Sequence, residues 1–528
     1  MIKIIFITGG VISSVGKGIL AASIAAILKN SISNIKIRKF DPYLNVDPGT
    51  LDPYEHGEVF VTEDGTETDL DVGHYERLGQ VKFTKDDYCT TGQILQKIIK
   101  KERAGEYKGK TIQIFPHVIN AIQESFIYNT NDNDLLICEI GGTVGDLENA
   151  YFLHAAAEIS QKIECIFIHI GYIINLQSTE DIQNISVFSE DKTKPLQKSI
   201  DMLRSYGILP NIIACRGARN EKYVLSKLKY LNYSQTILCL PEGKTHYIPY
   251  LYQNTKLGEK ITKQLNIKYI PNLELKALNE SMNTLTNIKK QLNIGIVTKY
   301  LNKDAHKSLI EAIKHAALHN MMKAQIYLID SSSKSLINKL SDLQGIIIPG
   351  GFGKRGIEGK MNAIRFADKN NIPLLGICLG MQLLTIVRIL QYCNILQDVN
   401  SQEFDSNAKH QIFQIRSGEG RFGGKMLLGN QEIETFSILK NIYNNEQIIF
   451  KRCRNRYEFN IQYEKYLQEA LLCIGAKTVH YETISCIGDP NNNKFFLGVQ
   501  YHPELSSSLI SPEPLFINFL KAASEYSL

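Results

Sequence analysis

The sequence lacks several features that would place it in whole classes of protein. Its ten cysteines form no Cys-x-x-Cys pair and show no zinc-ligand spacing, so nothing in them predicts a structural zinc site. No apolar run is long enough to span a bilayer, and the apolar start of the chain is too short for a secretory signal. We therefore expect a cytoplasmic protein with reduced thiols and no membrane contact.

A strong charge of either sign is also missing. The formal net charge is +5 over 528 residues, and no basic stripe is present. This argues against a dedicated nucleic-acid-binding protein but leaves room for local phosphate pockets. Hydrophobic residues make up 44% of the chain and charged residues 21%, as in globular proteins with large cores. The length predicts two or three domains.

The first informative pattern is a cysteine between two glycines. An apolar run ends in Gly-x-Cys-x-Gly at residues 376–380, and a helical pattern follows. This is typical of a nucleophile elbow, a tight strand-to-helix turn that presents the Cys378 thiol at the start of a helix. Taken alone, the same pattern fits a cysteine buried in an ordinary strand-helix unit.

Two further stretches favour catalysis over packing. Residues 346–348 lead into a glycine-rich loop, 349–353, whose backbone N–H groups are able to bind the oxyanion of an acyl intermediate. Near the chain end, His502 stands two residues before Glu504, so the carboxylate can orient the imidazole that takes the thiol proton. Elbow, loop and His-x-Glu together resemble a class I glutamine amidotransferase with Cys378, His502 and Glu504 as its triad.

The beginning of the chain carries a phosphate-binding pattern. A predicted buried strand, 3–8, is followed by a glycine-rich loop containing Lys17 and then by apolar residues at helical spacing. Loop N–H groups and a helix N-terminus attract phosphate, and Lys17 adds a positive charge. The loop is longer than the standard one after Gly10, and Gly18 stands where Ser or Thr would bind magnesium. A purely structural turn is the alternative.

The missing hydroxyl predicts that carboxylates hold the metal. Residues 56–77 are rich in acids, although a solvated acidic loop is the ordinary interpretation of such a segment. Glu139 follows the start of an apolar strand at residue 135, and the carboxyl ends of strands are where α/β sheets place ligand contacts. The lysines around Pro195 form either a solvated turn or a triphosphate clamp.

Strands and helices alternate in two series. This predicts an α/β protein with two doubly wound, mostly parallel-sheet domains joined by a linker, with limits 1–265, 266–292 and 293–528. A closing helix is predicted over 514–523. The predicted strands are 3–8, 35–40, 111–115, one beginning at 135, 164–170, 211–215, 294–297, 325–329, 346–348 and 373–377.

In combination these motifs resemble the CTP synthase family over nearly the whole chain. The similar stretches are 13–18, 39–50, 56–77, 139–148, 192–197 and 376–382. The family aminates the 4-position of UTP with ATP and with ammonia from glutamine, through a 4-phosphorylated UTP intermediate. The resemblance implies a glutamine-hydrolysing ligase, GTP as activator, CTP as feedback inhibitor and a homotetramer.

The resemblance also implies the residues of each site. It places Mg²⁺ at Asp71 and Glu139. It places ATP at Ser14, Val15, Gly16, Lys17, Gly18, Ile19, Lys39 and Asp71. It places UTP or CTP at Ser13, Asp146, Leu147, Glu148, Lys192, Thr193, Lys194, Pro195, Leu196 and Gln197. It places glutamine, beside the triad, at Gly351, Leu379, Gly380, Met381, Gln382, Glu403 and Arg456.

The sequence departs from the family pattern in four places. Leu196 stands where the family usually has threonine, and Ala104 replaces a basic residue. A stretch at about 177–189 lengthens the loop before Lys192. The loop 405–422 is short at the position of the family's GTP-responsive lid.

Two other functions are open at this point. One is a different amidotransferase joined to a phosphate-loop domain, such as a cobyrinate-type amidase; residues 41–50 and 192–197 argue against it. The other is a structural, filament-forming chain without activity. The joint presence of a phosphate-loop lysine, two candidate metal ligands and a Cys-His pair argues against that alternative. These residues are Lys17, Asp71, Glu139, Cys378 and His502.

Overall fold

The structure is a computed structural model that describes residues 2–177, 189–230, 236–284, 290–393, 398–417, 426–490 and 495–526. Its contacts divide the chain into two compact units, Met1–Pro48 with Asp71–Asn283, and Gly49–Leu70 with Thr284–Leu528. Each unit combines a large sheet with helices, which confirms the predicted α/β class. The domain limits 1–265, 266–292 and 293–528 stay a prediction, and the units differ from them in assigning Gly49–Leu70 to the second unit.

The strands and helices are numbered in chain order. The strands are β1 (Lys3–Gly10), β2 (Ile35–Asp41), β3 (Phe60–Val61), β4 (Glu67–Thr68), β5 (Tyr88–Thr90), β6 (Leu135–Ile140), β7 (Glu164–Tyr172), β8 (Ile174–Gln177), β9 (Ser189–Lys192), β10 (Ile212–Arg216), β11 (Thr236–Leu240), β12 (Gln291–Thr298), β13 (Lys323–Asp330), β14 (Gly345–Ile348), β15 (Leu374–Ile377), β16 (Val399–Ser401), β17 (His410–Ile415), β18 (Leu427–Thr435), β19 (Ile448–Asn455), β20 (Tyr457–Phe459), β21 (Cys473–Thr478), β22 (Ile484–Gly488) and β23 (Phe496–Val499). The helices are α1 (Lys17–Leu28), α2 (Pro53–His56), α3 (Asp71–Arg77), α4 (Thr91–Arg103), α5 (Ile119–Phe126), α6 (Ala150–Ile159), α7 (Lys194–Ser205), α8 (Glu221–Tyr230), α9 (Ile248–Asn254), α10 (Leu257–Gln264), α11 (Leu273–Thr284), α12 (Lys307–His319), α13 (Leu336–Leu340), α14 (Ile357–Asn370), α15 (Leu379–Tyr392), α16 (Ser437–Ile442), α17 (Lys465–Glu469) and α18 (Pro514–Glu525).

The first unit is built on a parallel sheet with the strand order β11-β10-β7-β1-β6-β2-β5. Strands β1 and β6 are buried over almost their whole length, as central strands covered by helices on both faces should be. The two strands pair in parallel, with Ile7 opposite Glu139. This register brings the loop after β1 and the Glu139 carboxylate to the same edge of the sheet.

A glycine sets the turn into helix α1. Gly16 caps the helix with a φ of 96°, a left-handed conformation that glycine adopts without strain. A Cβ at this position would also lie 2.3 Å from the Arg216 guanidinium. The helix that follows is buried on nearly all sides, because its alanines leave little bulk between it and its neighbours. The predicted strand-loop-helix unit is thereby confirmed.

The second unit contains a mixed sheet in the order β13-β12-β14-β15-β23-β22-β21-β18-β19. The first five strands of this order run parallel, and the remaining ones are antiparallel. Alternate residues of β14 and β15 enter two hydrophobic clusters, one with α14 and α15 and the other with α12 and α18. Helices therefore cover both faces of the parallel part, where Cys378 follows β15.

An early segment of the chain completes the second unit. Residues Gly49–Leu70 contribute α2 and the short antiparallel pair β3–β4. Arg454 donates to Glu67 at 2.9 Å, and Arg452 donates to the Val61 carbonyl at 3.1 Å. The Glu58 carboxylate accepts from the backbone N–H of Ser308 at 2.8 Å. These charge-assisted hydrogen bonds hold the segment against residues far along the chain.

Most predicted strands are confirmed with small changes at their ends, but the strand predicted over 111–115 is wrong. Residues 111–113 have no regular structure, and Ile114–Val118 forms a π-helical turn that leads into α5. Phe115 is 46% exposed, and none of the described strands pairs with this segment. Pro116 also lacks the N–H that a ladder needs.

Several sequence features lie partly outside the described residues. The predicted linker 266–292 contains α11 and the start of β12, while 285–289 are outside the described ranges. So are 178–188 of the added stretch and 418–422 of the short loop. In the part of the chain that the structure describes, none of the helices has the length and apolarity to cross a membrane.

Candidate active sites

Charged side chains of the first unit converge beside the loop after β1. Lys39 on β2 donates to Asp71 at 2.8 Å and to Glu139 at 3.2 Å. The hydroxyl of Tyr75 on α3 donates to the second oxygen of Glu139. Lys39, Tyr75 and Glu139 are buried. A buried ion needs a partner of opposite charge and further hydrogen bonds, and Lys39 and Tyr75 provide these for Glu139.

The missing hydroxyl of the phosphate loop has a structural explanation. Gly18 faces Asp71 so closely that a Cβ would lie 2.4 Å from its Oδ1 atom. The carboxylate of Asp71 therefore occupies the space that a side chain at position 18 would need. Lys17, one residue earlier, donates to the Gly142 carbonyl at 2.9 Å.

Burial and mutual repulsion shift the pKa values in this cluster. Burial raises the pKa of Glu139, and Asp71 adds to the shift while Lys39 opposes it. Burial also acts to raise the pKa of Asp71, but Lys39 and His74 outweigh it and lower that pKa. Desolvation lowers the pKa of Lys17, although the negative charge of Glu139 acts to raise it. Both carboxylates accept from Lys39, and a cation bound between them would oppose their mutual repulsion.

The loop after β6 lies against the phosphate loop. The Val144 N–H donates to the Gly9 carbonyl at 2.8 Å, and Asp146 accepts from the Thr143 N–H at 3.1 Å. Leu147 is 80% exposed, and Glu148 and Ser13 are also exposed. The predicted pyrimidine-site residues of this loop thus have accessible side chains next to the predicted ATP loop.

The lysine-rich segment forms the end of β9 and the start of α7. Gln197 donates to the Thr193 hydroxyl at 2.9 Å, and both side chains are buried. Lys194 is exposed. Leu196 is fully buried in a hydrophobic cluster with Ile173 and neighbouring residues, so its side chain belongs to the core.

In the second unit, Cys378 occupies a strained turn between β15 and α15. Its φ of 51° and ψ of −104° are unusual for a residue with a side chain. A Cβ at Gly376 would lie 2.6 Å from the Gly380 backbone, and one at Gly380 would lie 2.0 Å from the Ile348 carbonyl oxygen. The predicted tight turn is confirmed, and both glycines are required because backbone crosses backbone there.

His502 and Glu504 lie beside this cysteine. His502 Nδ1 is 2.7 Å from Glu504 Oε1, and the backbone N–H of His502 donates to the Arg452 carbonyl at 2.8 Å. Burial disfavours the imidazolium, but Glu504 and the hydrogen bonds with Cys378 and Glu504 outweigh it and raise the pKa of His502 to about 10. Gln500 donates to the Cys378 sulfur at 3.4 Å. The arrangement holds a charged imidazole next to the thiol sulfur.

A cavity of the second unit opens onto the Cys378–His502 pair. The Glu403 carboxylate accepts from the Gly353 N–H at 2.7 Å at its edge. Early residues contribute to its wall, namely residues 49–53, 58 and 59. The predicted residues that line it are Gly351, Cys378, Glu403, Arg456, His502 and Glu504.

Comparison with known proteins shows the family of the chain. Residues 3–267 match the family model described as CTP synthase N-terminus, and residues 301–522 match glutamine amidotransferase class-I. The CTP synthase of Aquifex aeolicus is 38% identical over 542 residues, covering 100% of this chain and 99% of that protein. The chain belongs to the CTP synthase family.

A second full-length relative and one solved structure are also similar to this chain. The CTP synthase of Buchnera aphidicola subsp. Schizaphis graminum is 39% identical over 550 residues, covering 99% of this chain and 97% of that protein. Among solved structures, the Trypanosoma brucei CTPS glutaminase domain with bound acivicin is 32% identical and covers 45% of this chain and 95% of that chain, with a TM-score of 0.42. The predicted family, ligase class and glutamine-dependent CTP synthesis are confirmed by the family models and the full-length relatives.

Some residues that the CTP synthase resemblance assigned to glutamine face the interior. Met381 is fully buried, and Gln382 donates to Gln500 at 3.2 Å behind the cysteine. Leu379 and Gly380 are buried at the start of α15. Direct side-chain contact of these residues, and of Leu196, with a ligand stays a prediction. Their buried positions do not favour it.

Sequence reasoning missed buried polar residues that support the two sites. Fully buried His169 lies 2.9 Å from both the Thr8 and the Ser199 hydroxyls, and burial lowers its pKa to about 3. This neutral histidine joins the end of β1 to α7. Its only sequence signal is a histidine within an apolar strand. Tyr75, Lys299 and Lys360 had no local signal, because each bonds to a separate element: Tyr75 to Glu139 on β6, and the two lysines to backbone carbonyls of loop 349–353.

Proposed function

We propose that this chain, as a member of the CTP synthase family, carries its two half-reactions on separate sets of residues. The observation that supports this division is the presence of two chemically different clusters. One is the Lys17, Lys39, Asp71 and Glu139 group at the phosphate loop, and the other is the chain from Cys378 through His502 to Glu504. The first suits phosphoryl transfer and the second suits acyl transfer.

In the glutaminase half-reaction, the Cys378 thiolate attacks the side-chain amide carbon of glutamine. The His502 imidazolium, held by Glu504, gives its proton to the departing nitrogen, which leaves as ammonia. Loop 349–353 supports the oxyanion of the tetrahedral intermediate. Neutral His502 then takes a proton from water, which attacks the thioester and releases glutamate.

In the synthetase half-reaction, the 4-oxygen of UTP is a poor leaving group until ATP phosphorylates it. Ammonia then displaces phosphate from the 4-phosphorylated intermediate to give CTP. Lys17 and Lys39 neutralise phosphate charge during the transfer, which proceeds mainly by positioning and electrostatics. The exposed residues of the loop after β6 and the start of α7 are the proposed pyrimidine-nucleotide contacts.

Asp71 and Glu139 are the residues that would hold Mg²⁺. The described residues contain no cluster of three or more His, Cys, Asp or Glu side chains suited to a metal. Mg²⁺ needs only one or two carboxylates when substrate phosphates complete its shell, so this pair fits the ion. Burial, with the Asp71 carboxylate adding to it, raises the pKa of Glu139, and a cation held between the two carboxylates would oppose that shift. When bound, Mg²⁺ supplies charge neutralisation to the transferred phosphoryl group.

The segment Gly49–Leu70 lies at the proposed site of ammonia release in the second unit. Its residues line the cavity beside Cys378, where ammonia is released. Ammonia must stay unprotonated and shielded from water to react, so we propose that the synthetase receives it before it mixes with the bulk solvent.

Regulation and assembly follow from the family resemblance alone. We propose CTP as feedback inhibitor, GTP as activator, a homotetramer and a cytoplasmic location as predictions for this chain. Loop 405–422 is short at the position of the family's GTP-responsive lid. Activation by GTP is therefore the regulatory prediction to assay first.

An assay with UTP, ATP and Mg²⁺ tests the proposed function. CTP should form with glutamine or with ammonium chloride as nitrogen source, and omission of ATP should stop both reactions. Addition of GTP should raise only the glutamine-dependent rate. Failure to form CTP from either nitrogen source would contradict the proposal.

A further inference from the structure

A lysine is fully buried in the interior of the amidotransferase unit. Lys360, on α14, has 0% of its surface exposed, and its ammonium donates to the Pro349 carbonyl oxygen at 3.0 Å. No carboxylate forms an ion pair with it among the residues that the structure describes. Elsewhere in the same unit, buried Arg388 is paired with Asp368 and Asp489.

The environment of Lys360 is unfavourable for a charge. An ammonium without a carboxylate partner loses its hydration on burial and is not repaid by an ion pair. Methionine has a similar volume and would fill the same space without that cost. A lysine at this position therefore points to a role other than packing.

The carbonyl that Lys360 binds belongs to the first peptide of the glycine loop 349–353. A Cβ built on Gly350 would lie 3.0 Å from His502 Cε1 and 3.6 Å from Cys378 Cβ, so this peptide borders the reacting pair. In a planar trans peptide the C=O and the N–H point in opposite directions. A lysine that holds the Pro349 oxygen from the interior thus also fixes the direction of the Gly350 N–H.

The other end of the loop has a second lysine. Lys299 donates to the Phe352 carbonyl and, at 3.4 Å, to the Gly353 carbonyl. Glycines 350 and 351 have no side chains with which to anchor themselves. The position of the loop consequently depends on hydrogen bonds to its backbone at either end.

We propose that Lys360 is a positioning residue of glutamine hydrolysis, whose ammonium anchors the Pro349–Gly350 peptide and so keeps the Gly350 N–H directed at the acyl oxygen on Cys378. The proposal rests on the proposed function, in which this loop supports the oxyanion. It extends that function by assigning control of the loop to a residue that never touches the substrate.

The charge of Lys360 is expected to change near neutral pH. Burial lowers its pKa to about 7, Lys299 acts in the same direction, and Cys378 opposes the shift. Lys360 also interacts electrostatically with His306, whose pKa burial lowers to about 4, so this histidine stays neutral as Lys360 titrates. The charge-assisted bond to Pro349 is therefore fully present below pH 7 and weakens as the pH rises through that value.

Lys360→Met tests the proposal, with Lys369→Met as the matched control on the exposed side of the same helix. Because the loop keeps its donors but loses an anchor, glutaminase kcat should fall about tenfold, less than removal of an oxyanion donor would cause. KM for glutamine should change less than about twofold. Ammonia-dependent CTP formation should stay at the wild-type rate, and the melting temperature should be no lower than that of the wild type.

A merely structural role predicts the opposite pattern. It would lower the melting temperature of Lys360→Met and reduce the glutamine- and ammonia-dependent rates together, and either that result or an unchanged glutaminase kcat overturns the proposal. Wild-type CTP formation from ammonia, measured alongside, separates this failure from failure of the proposed function.

The pH dependence supplies a second test. The ratio of wild-type to Lys360→Met glutaminase kcat should be greatest below pH 7 and decrease as the pH rises through 7. A ratio that does not change with pH contradicts the proposal. If the variant does not fold, the wild-type profile serves alone: its glutaminase kcat should contain a component that falls through pH 7 and is absent from the ammonia-dependent reaction.

Discussion

The two candidate sites differ in how their buried charged groups are paired. At the phosphate loop, two carboxylates compete for the Lys39 ammonium, and burial raises the pKa of Glu139 while desolvation lowers that of Lys17. At the cysteine, one imidazole lies between one sulfur and one carboxylate, and its raised pKa keeps it charged.

This difference distinguishes a ligand-binding site from a proton-transfer site. Phosphates and a cation would complete the first cluster, so changes in it should act on ligand binding and phosphoryl transfer. The second is complete without a ligand, so changes in it should act on the rate of acyl transfer. Variants that affect one site and spare the other test this contrast.

The largest expected effect is at the thiol. Cys378→Ala should reduce glutamine-dependent CTP formation by more than about a thousandfold, because the nucleophile is gone. Ammonia-dependent formation should be unchanged. Both rates are measured by following CTP at saturating UTP and ATP, and equal loss of the two would falsify the division of labour.

Lys17→Ala should remove both reactions. Loss of a positive charge at the transferred phosphoryl group is expected to lower CTP formation from either nitrogen source by about a hundredfold or more. Lys29→Ala, at the exposed end of the same helix, is the control and should leave both rates near the wild-type values. Full activity of Lys17→Ala with ammonia would refute the phosphate role.

Glu504→Gln should slow only the glutaminase, by about a hundredfold, because the neutral amide no longer stabilises the imidazolium. The variant should also change the pH profile. In the wild type the raised pKa keeps His502 protonated up to about pH 10. Without the carboxylate that pKa falls, so the variant should lose further activity as the pH rises above neutral. Parallel profiles for the two proteins would contradict the assignment.

The smallest effect on activity is expected at Leu196. Since its side chain lies in the core, Leu196→Thr should lower the free energy of unfolding by about 1–3 kcal/mol through burial of a hydroxyl. KM for UTP should change less than about twofold. Denaturant titration and UTP saturation curves measure the two effects. A marked tightening of UTP binding would show that position 196 contacts the nucleotide after all.

Local patterns predicted the turns around which both sites are built. The phosphate loop and the elbow could be identified because glycines at fixed positions reflect backbone geometry that is nearly independent of the rest of the fold. The triad needed one inference across the chain, from Cys378 to His502, which the His-x-Glu pair made possible.

Side-chain direction and long-range pairing could not be predicted from sequence patterns. Residues 111–115 alternate like a strand, yet no described strand covers them, and only the tertiary fold decides that. Leu196 and Gln382 lie within recognised motifs but face the interior. The links from His169 to Thr8 and from Lys360 to Pro349 join separate elements, so no local periodicity reveals them.

Isotope labelling tests the central claim most directly. The wild type is supplied with glutamine carrying ¹⁵N in its side-chain amide, together with excess unlabelled ammonium at pH 7, and the CTP is analysed by mass spectrometry. If ammonia freed at Cys378 is consumed by the synthetase of the same enzyme, the CTP should carry ¹⁵N far above its share of the bulk ammonium, and Cys378→Ala should yield unlabelled CTP. CTP from the wild type with only the bulk proportion of ¹⁵N would contradict the account.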